Sequence, residues 1–233
     1  MLIIAKTCPC KSKKYGELVC TVGITTNNEM VRLYPIPFRK LDKSSKYSKY
    51  QFIYINITKD LSDPRKESFK IQSPIKLLEK IDTSHNWLNR KKIILSNREI
   101  FNEKNKLLEQ SHDIHNGISL AIFKPCKINS FIIKKTNNEN NPYKFYYNFS
   151  DINDKKSQLQ IIDWEIFALT HKLITKYKDF NIIRDKLRKT YYDFMKTRDI
   201  YLFLGTNRKW HIRKSKNPFM IIGIFYPPLD KTI

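Results

Sequence analysis

Apolar positions along this chain recur with two different periods, and their order predicts the elements. Leu2-Ile3-Ile4, Leu18 to Ile24 and Met30 to Tyr34 are short apolar or alternating runs that read as strands. Thr25 to Glu29 has turn composition between two of them, and Pro35 and Pro37 end the third. Gln51 to Thr58 alternates most clearly, with Phe52, Tyr54, Asn56 and Thr58 on one face and Ile53, Ile55 and Ile57 on the other. Residues 74–110 then read as helical: Ser73 can cap a helix begun by Pro74 and carried by Ile75, Leu77, Leu78 and Ile81, with an interruption at Ser96-Asn97. Strand signals return over 118–123, 128–134, 143–149 and 159–162. Ile166, Leu169, Leu173 and Tyr177 follow at steps of three and four, with Asp163 as N-cap. Ile183, Leu187, Tyr191 and Phe194 continue after a break near Asp179, and strands over 200–204 and 219–226 close the chain. Without regular alternation the class is α+β and β-rich, with an N-terminal part suited to a barrel-like closure and a helical layer over 163–197. No repeat or long linker divides residues 1–233, which read as a single module.

Charge changes the picture more than composition does. Lys and Arg total 44 against 22 acidic residues, a net charge of +22. Lysine-rich codon bias inflates Lys but does not deplete Asp and Glu, so a polyanion partner is the expectation, and nucleic acid the first candidate. The excess is uneven: residues 1–50 hold ten basic and three acidic residues, and residues 171–198 hold nine and three. No run approaches eighteen apolar residues, and Met1 to Lys6 is too short and too soon charged for an export signal. The expected location is the cytoplasm, with no membrane partner and with thiols reduced.

Three cationic stretches interleave with aromatic and hydroxyl residues, as phosphate and base contacts require. They are Lys11, Lys13 and Lys14; Arg32, Tyr34, Arg39, Lys40 and Lys43; and Arg208, Lys209, Trp210, Arg213 and Lys214. Arg32 and Arg39 bracket an expected binding surface where the prolines lead the chain out of its sheet. The alternative is that Arg32 pairs with a carboxylate such as Glu17 and supports the fold.

Signals for catalysis are sparse. Five glycines leave no phosphate-cradling loop, and no GxSxG nucleophile motif occurs. Cys8, Cys10, Cys20 and Cys126 lack paired CxxC knuckles, and His112-Asp113-Ile114-His115 lacks a third ligand, so no metal site is expected from either. Asp163-Trp164-Glu165 is the one acidic pair suited to Mg²⁺ or Mn²⁺ at a phosphodiester. A nuclease built on it would add Lys172 and a further carboxylate from Glu17, Asp63 or Glu67. Helix capping by Asp163, with Glu165 in the first turn, is the simpler use of the same residues. A third possibility is a basic scaffold docking on an acidic protein.

Several segments together resemble a family of small basic bacterial and phage proteins. They include Arg32-Leu33-Tyr34-Pro35-Ile36-Pro37-Phe38-Arg39, Asp63-Pro64-Arg65-Lys66-Glu67-Ser68, Asp163-Trp164-Glu165 and Gly223 to Pro228. A role such as an accessory factor in a host–virus or mobile-element system is expected from the clustered charge; the resemblance spans nearly the whole chain and implies one module. It implies no activity. Some of these relatives carry Cys and His ahead of the Asp-Trp-Glu segment; residues 151–160 here contain neither.

Overall fold

The structure is a computed structural model that describes residues 1–12, 16–138 and 141–229, without the side chains of 10–12 and 16. The N-terminal sheet contains β1 (Leu2–Lys6), β2 (Cys10–Ser12), β3 (Gly16–Ile24), β4 (Met30–Ile36), β5 (Gln51–Tyr54), β6 (Ile57–Lys59), β7 (Ser68–Ile71) and β8 (Lys76–Lys80). The order is β6-β7-β4-β3-β1-β5-β8, with β2 on β3. β5 and β6 are separated by only two residues yet belong to opposite ends of that order. The sheet must therefore curl until its ends approach, forming the half-barrel. At the join the backbone bond Gln72 N–H to Asn56 O and the side-chain bond Asn56 N–H to Ser73 Oγ hold it there.

The barrel is filled from one face of each strand by Ile3, Val19, Leu33, Ile36 and Ile53, with Phe38, Tyr47 and Ile75 from the connections. The expected helix beginning at Pro74 is instead β8, antiparallel to β5 with Ile53 opposite Leu77. Ile75 and Leu77 are wanted inside the barrel, and an open strand edge on β5 outweighs a capping signature at Ser73. α1 (Ser84–Leu95) and α2 (Lys104–Ser111) follow, and the break expected at Ser96-Asn97 separates them.

The second sheet contains β9 (Ile100–Phe101), β10 (Leu120–Phe123), β11 (Lys127–Lys135), β12 (Tyr143–Ser150), β13 (Lys156–Ile161), β14 (Tyr201–Thr206) and β15 (Phe219–Phe225). Its order is β11-β12-β13-β15-β14-β10-β9. One face is covered by α3 (Trp164–Lys176), α4 (Phe180–Arg188) and the π-turn after α4, around Phe145, Tyr147, Ile161, Ile166 and Leu187. Asp163 caps α3 through Glu165 N–H and Asp179 caps α4 through Asn181 N–H, so the helical layer begins and breaks where the periodicity placed it. A short helix α5 (Arg208–Ile212) links β14 to β15.

The two sheets pack through Leu2, Ile4, Ala5 and Val22 of the barrel against Leu120, Ile122, Phe203 and Phe225. β9, β10, β14 and β15 take part, and Cys8 N–H bonds Ile162 O at the end of β13; β11 and β12 supply no residue to this junction. The sheets approach closely at Gly223, where a Cβ would lie 2.9 Å from Ala5 Cβ and 3.0 Å from Phe203 Cδ2. Gly223→Ala is therefore expected to cost about 1–3 kcal/mol through overpacking. Urea denaturation measures it; an unchanged midpoint would mean that the sheets have room to part. Among the described residues no helix is long and apolar enough to cross a membrane.

Candidate nucleic-acid interface

Two buried polar clusters tie the sheets together, and both consume residues that the sequence offers for chemistry. In the first, Lys49 follows the barrel connection and turns its ammonium inward, 8% exposed. It donates to Ile224 O at 2.8 Å and to Glu165 Oε2 at 3.0 Å, with Asp163 Oδ2 at 3.7 Å. Asp163 is 2% exposed, and burial pushes its carboxyl up to about 6 against the pull of Lys49. Lys6 completes the cluster: its ammonium lies 3.5 Å from the Phe38 ring centroid and 4.5 Å from that of Trp164. Burial lowers Lys6 to about 8, with Glu165 and Asp163 acting the other way. Two carboxylates and two ammonium groups balance one another, so this donor set compensates its charge without a cation. Lys172 is exposed two turns along α3 from Glu165, and Glu17, Asp63 and Glu67 are all held elsewhere. Among the described residues no three His, Cys, Asp or Glu side chains converge as metal ligands. Cys126 is exposed at the start of β11, and the Cys10 side chain lies outside the described residues.

The second cluster is built on the Asp63–Ser68 segment. Arg65 grips Asp63 with Nε (2.9 Å) and Nη2 (2.5 Å) and reaches across to Thr206 O of β14 at 2.6 Å. Arg32, 4% exposed, donates to Ser68 Oγ (3.2 Å), Ser119 Oγ (2.9 Å) and Ser119 O (3.0 Å). Each serine hydroxyl then donates onward, Ser68 to Asp63 and Ser119 to Glu67. The serines thus relay the Arg32 charge to two carboxylates it does not touch. Burial alone would raise Asp63, but the bonds and charge of Arg65 hold it down at about 2. A carboxyl depressed below its unfolded value stabilises the fold above about pH 4 and loses that contribution as pH falls toward 2. Asp63→Asn is expected to flatten this acid limb of stability, measured by urea denaturation between pH 2 and 5; an unchanged limb would place the titration elsewhere.

Of the expected binding residues, Arg32 is therefore removed from the surface: it is a tie between sheets, with serines where Glu17 was the anticipated partner. Glu17 pairs instead with Arg39 at 2.7 Å, and the Arg39 side chain stays 57% exposed. Arg39 and Glu17 line a pocket of about 140 Å³ with Trp164 and His171. Tyr34 is 41% exposed, and Lys40 and Lys43 are exposed beside it in sequence. Lys11 is placed in β2 by its backbone; its side chain, Lys13 and Lys14 lie outside the described residues.

The third cationic stretch becomes α5. The Asn207 side chain caps it by accepting from the N–H groups of Lys209 and Trp210. His211 is buried beneath it, 3.2 Å from Ile114 O, and Arg208 holds Ser62 O at 2.7 Å. With His211 as the inward anchor, Lys209, Trp210, Arg213 and Lys214 are exposed together, Trp210 at 41%. Asp60, Asp63, Glu67, Asp151 and Asp163 are meanwhile buried or bonded internally. These acids are matched by Lys6, Lys49, Arg32 and Arg65 inside the fold, so the net positive excess remains with the exposed residues.

Comparison with protein families gives two matches, neither covering half the chain. Residues 1–96 match a family described as a domain of unknown function (DUF8758), and residues 134–233 match a second domain of unknown function (DUF8757). The first match contains the whole half-barrel; the second contains β12 to β15 with α3 to α5. No curated protein matches the chain.

Proposed function

We propose that this chain is a nucleic-acid-binding protein. The observation that carries the reading is α5: a short cationic helix, fixed at its base by buried His211, with a large aromatic ring exposed among ammonium and guanidinium groups. Lys209, Arg213 and Lys214 suit phosphates, and Trp210 suits stacking on an unpaired base. The surplus of unpaired cations supports it, because each neutralised phosphate releases counterions. The same clustered charge suits an accessory factor in a host–virus or mobile-element system. Lys209→Gln/Arg213→Gln/Lys214→Gln, followed by fluorescence anisotropy with labelled oligonucleotides, tests the α5 surface. Affinity is expected to fall and the salt slope to shrink by about two to three phosphate contacts, with folding intact. Unchanged binding would put the contact surface elsewhere.

A metal-dependent nuclease using Asp163 and Glu165 is the weaker reading, since Lys49 already occupies both carboxylates. Incubating the same oligonucleotides with Mg²⁺ or Mn²⁺ decides it: cleavage that disappears in Glu165→Gln would reverse the ranking.

A further inference from the structure

The barrel covers only half of the second sheet, and the uncovered half carries an ordered polar pattern. On β12, Phe145, Tyr147 and Phe149 point into the core under the helices, so Lys144, Tyr146 and Asn148 take the opposite face, with Ser150 buried at its end beneath the Asn129 amide. Cross-strand register brings their partners to the same face. Lys134 stands opposite Lys144, Ile132 opposite Tyr146, Ser130 opposite Asn148 and Lys127 opposite Ser150. From β13, Gln160, Gln158 and Lys156 complete the last three rungs. Ile132 and Tyr146 belong to none of the buried clusters.

This face has lysines at both ends and uncharged groups between. Lys134 and Lys144 oppose each other directly, a like-charge pair that weakens a sheet. Lys127 and Lys156 flank Ser150 at the far end. The two ends are separated by six residues of β12, about 20 Å. Among the described residues none of these four lysines has an ion-pair partner. Between them Gln158 Nε2 donates to Asn148 Oδ1 (2.8 Å), and Asn148 Nδ2 donates to Ser130 Oγ (3.0 Å). That relay leaves an amide oxygen at one end and a hydroxyl proton at the other, a donor and an acceptor fixed in space. Tyr146 is half-buried, with Lys134 Nζ 5.2 Å from its ring centroid. An open groove of about 910 Å³ starts at Lys127 and Lys156 and continues to Lys196, which sits over the Tyr192 ring at 4.0 Å. Asp154 is its one acidic lining residue.

We infer that the uncovered face of β11, β12 and β13 is a platform for a single-stranded polynucleotide. The terminal lysine pairs take phosphates, Tyr146 stacks on a base, and the Gln158–Asn148–Ser130 relay meets base edges. A flat sheet face offers a duplex only its phosphates, whereas an unpaired strand also offers its bases to Tyr146 and the relay. The inference rests on the nucleic-acid reading and names the substrate class and a site separate from α5.

The test uses the full chain and anisotropy titrations with single-stranded DNA, single-stranded RNA and duplex DNA oligonucleotides from 50 to 300 mM salt. Lys127→Gln/Lys134→Gln/Lys144→Gln/Lys156→Gln should weaken single-strand binding at least tenfold at 150 mM salt. Its log–log salt slope should fall by about 0.7 for each lysine in contact. Tyr146→Leu should lower single-strand affinity about fivefold or more while leaving the slope unchanged, which loss of a charge cannot imitate. The two single-strand arms show whether the sugar matters. Circular dichroism confirms folding, and removing the Lys134–Lys144 repulsion should leave the melting temperature equal or higher. If the quadruple variant keeps wild-type affinity while the α5 variant loses it, this platform is wrong and the nucleic-acid reading survives. Equal losses on duplex and single strand would overturn the single-strand assignment. If the wild-type chain binds none of the three, both fall.

Discussion

Lys49→Met is expected to destabilise the fold by about 3–5 kcal/mol at neutral pH, the size seen when one partner of a buried ion pair is removed. The side chain is nearly the right length, so little volume is lost; the cost comes from charge. Asp163 and Glu165 lose their ammonium, and Ile224 O loses its donor. Asp163 is the expensive survivor because it stays buried at the base of α3, where it also caps the helix. Its carboxyl already titrates near 6, and without Lys49 it must rise further. Protonated Asp163 needs no counter-charge, so the defect should be smaller at pH 5 than at pH 8. Adding Asp163→Asn and Glu165→Gln should recover much of the loss by the same logic. Urea denaturation at the two pH values checks this. A defect under about 1 kcal/mol at pH 8, or one that grows toward pH 5, would mean that the cluster is not a charge clasp.

The second large effect contrasts two arginines that lie seven positions apart. Arg32→Ala should cost about 3–5 kcal/mol, because it leaves two serine hydroxyls, a backbone carbonyl and the relayed charge of Asp63 and Glu67 uncompensated inside the sheet junction. Arg39→Ala removes an exposed pair with Glu17 and should cost less than about 1 kcal/mol. In binding assays the order reverses: Arg39→Ala lowers polyanion affinity by about one contact, while folded Arg32 variants such as Arg32→Lys leave the salt slope unchanged. Thermal melts with anisotropy titrations separate the two. Equal stability losses would contradict the assignment of Arg32 to the junction.

What the sequence reveals here follows the range of the interactions involved. The β3–β4 hairpin, the Asp163 cap and the α3–α4 break near Asp179 are local, and periodicity with capping chemistry places them within a residue or two. Residues 51–58 read as one strand because they alternate throughout; that they serve both ends of a curled sheet depends on partners elsewhere in the chain. The strand at Lys76–Lys80 was hidden for the same reason. Arg32 looks like a surface cation because its partners, Ser68 and Ser119, are 36 and 87 residues away. Lys49 is likewise indistinguishable from Lys40, Lys43 and Lys46 until β15 supplies Ile224 O. The open face of β12 did leave a trace: Lys144, Tyr146 and Asn148 alternate with Phe145, Tyr147 and Phe149, polar against aromatic. Alternation reveals that such a face exists, while the lysine pairs at its two ends emerge only from the register of three strands.

The most direct measurement is the dissociation constant of the wild-type chain for single-stranded and duplex oligonucleotides across a salt series. Binding is predicted to be tight at 50 mM salt and to weaken along a straight log–log line, with a slope of at least about −3 for a surface making four or more phosphate contacts. Single strands should be preferred through base stacking. No detectable binding at 50 mM salt, or an affinity indifferent to salt, would contradict the claim that this protein's excess positive charge serves a nucleic-acid partner.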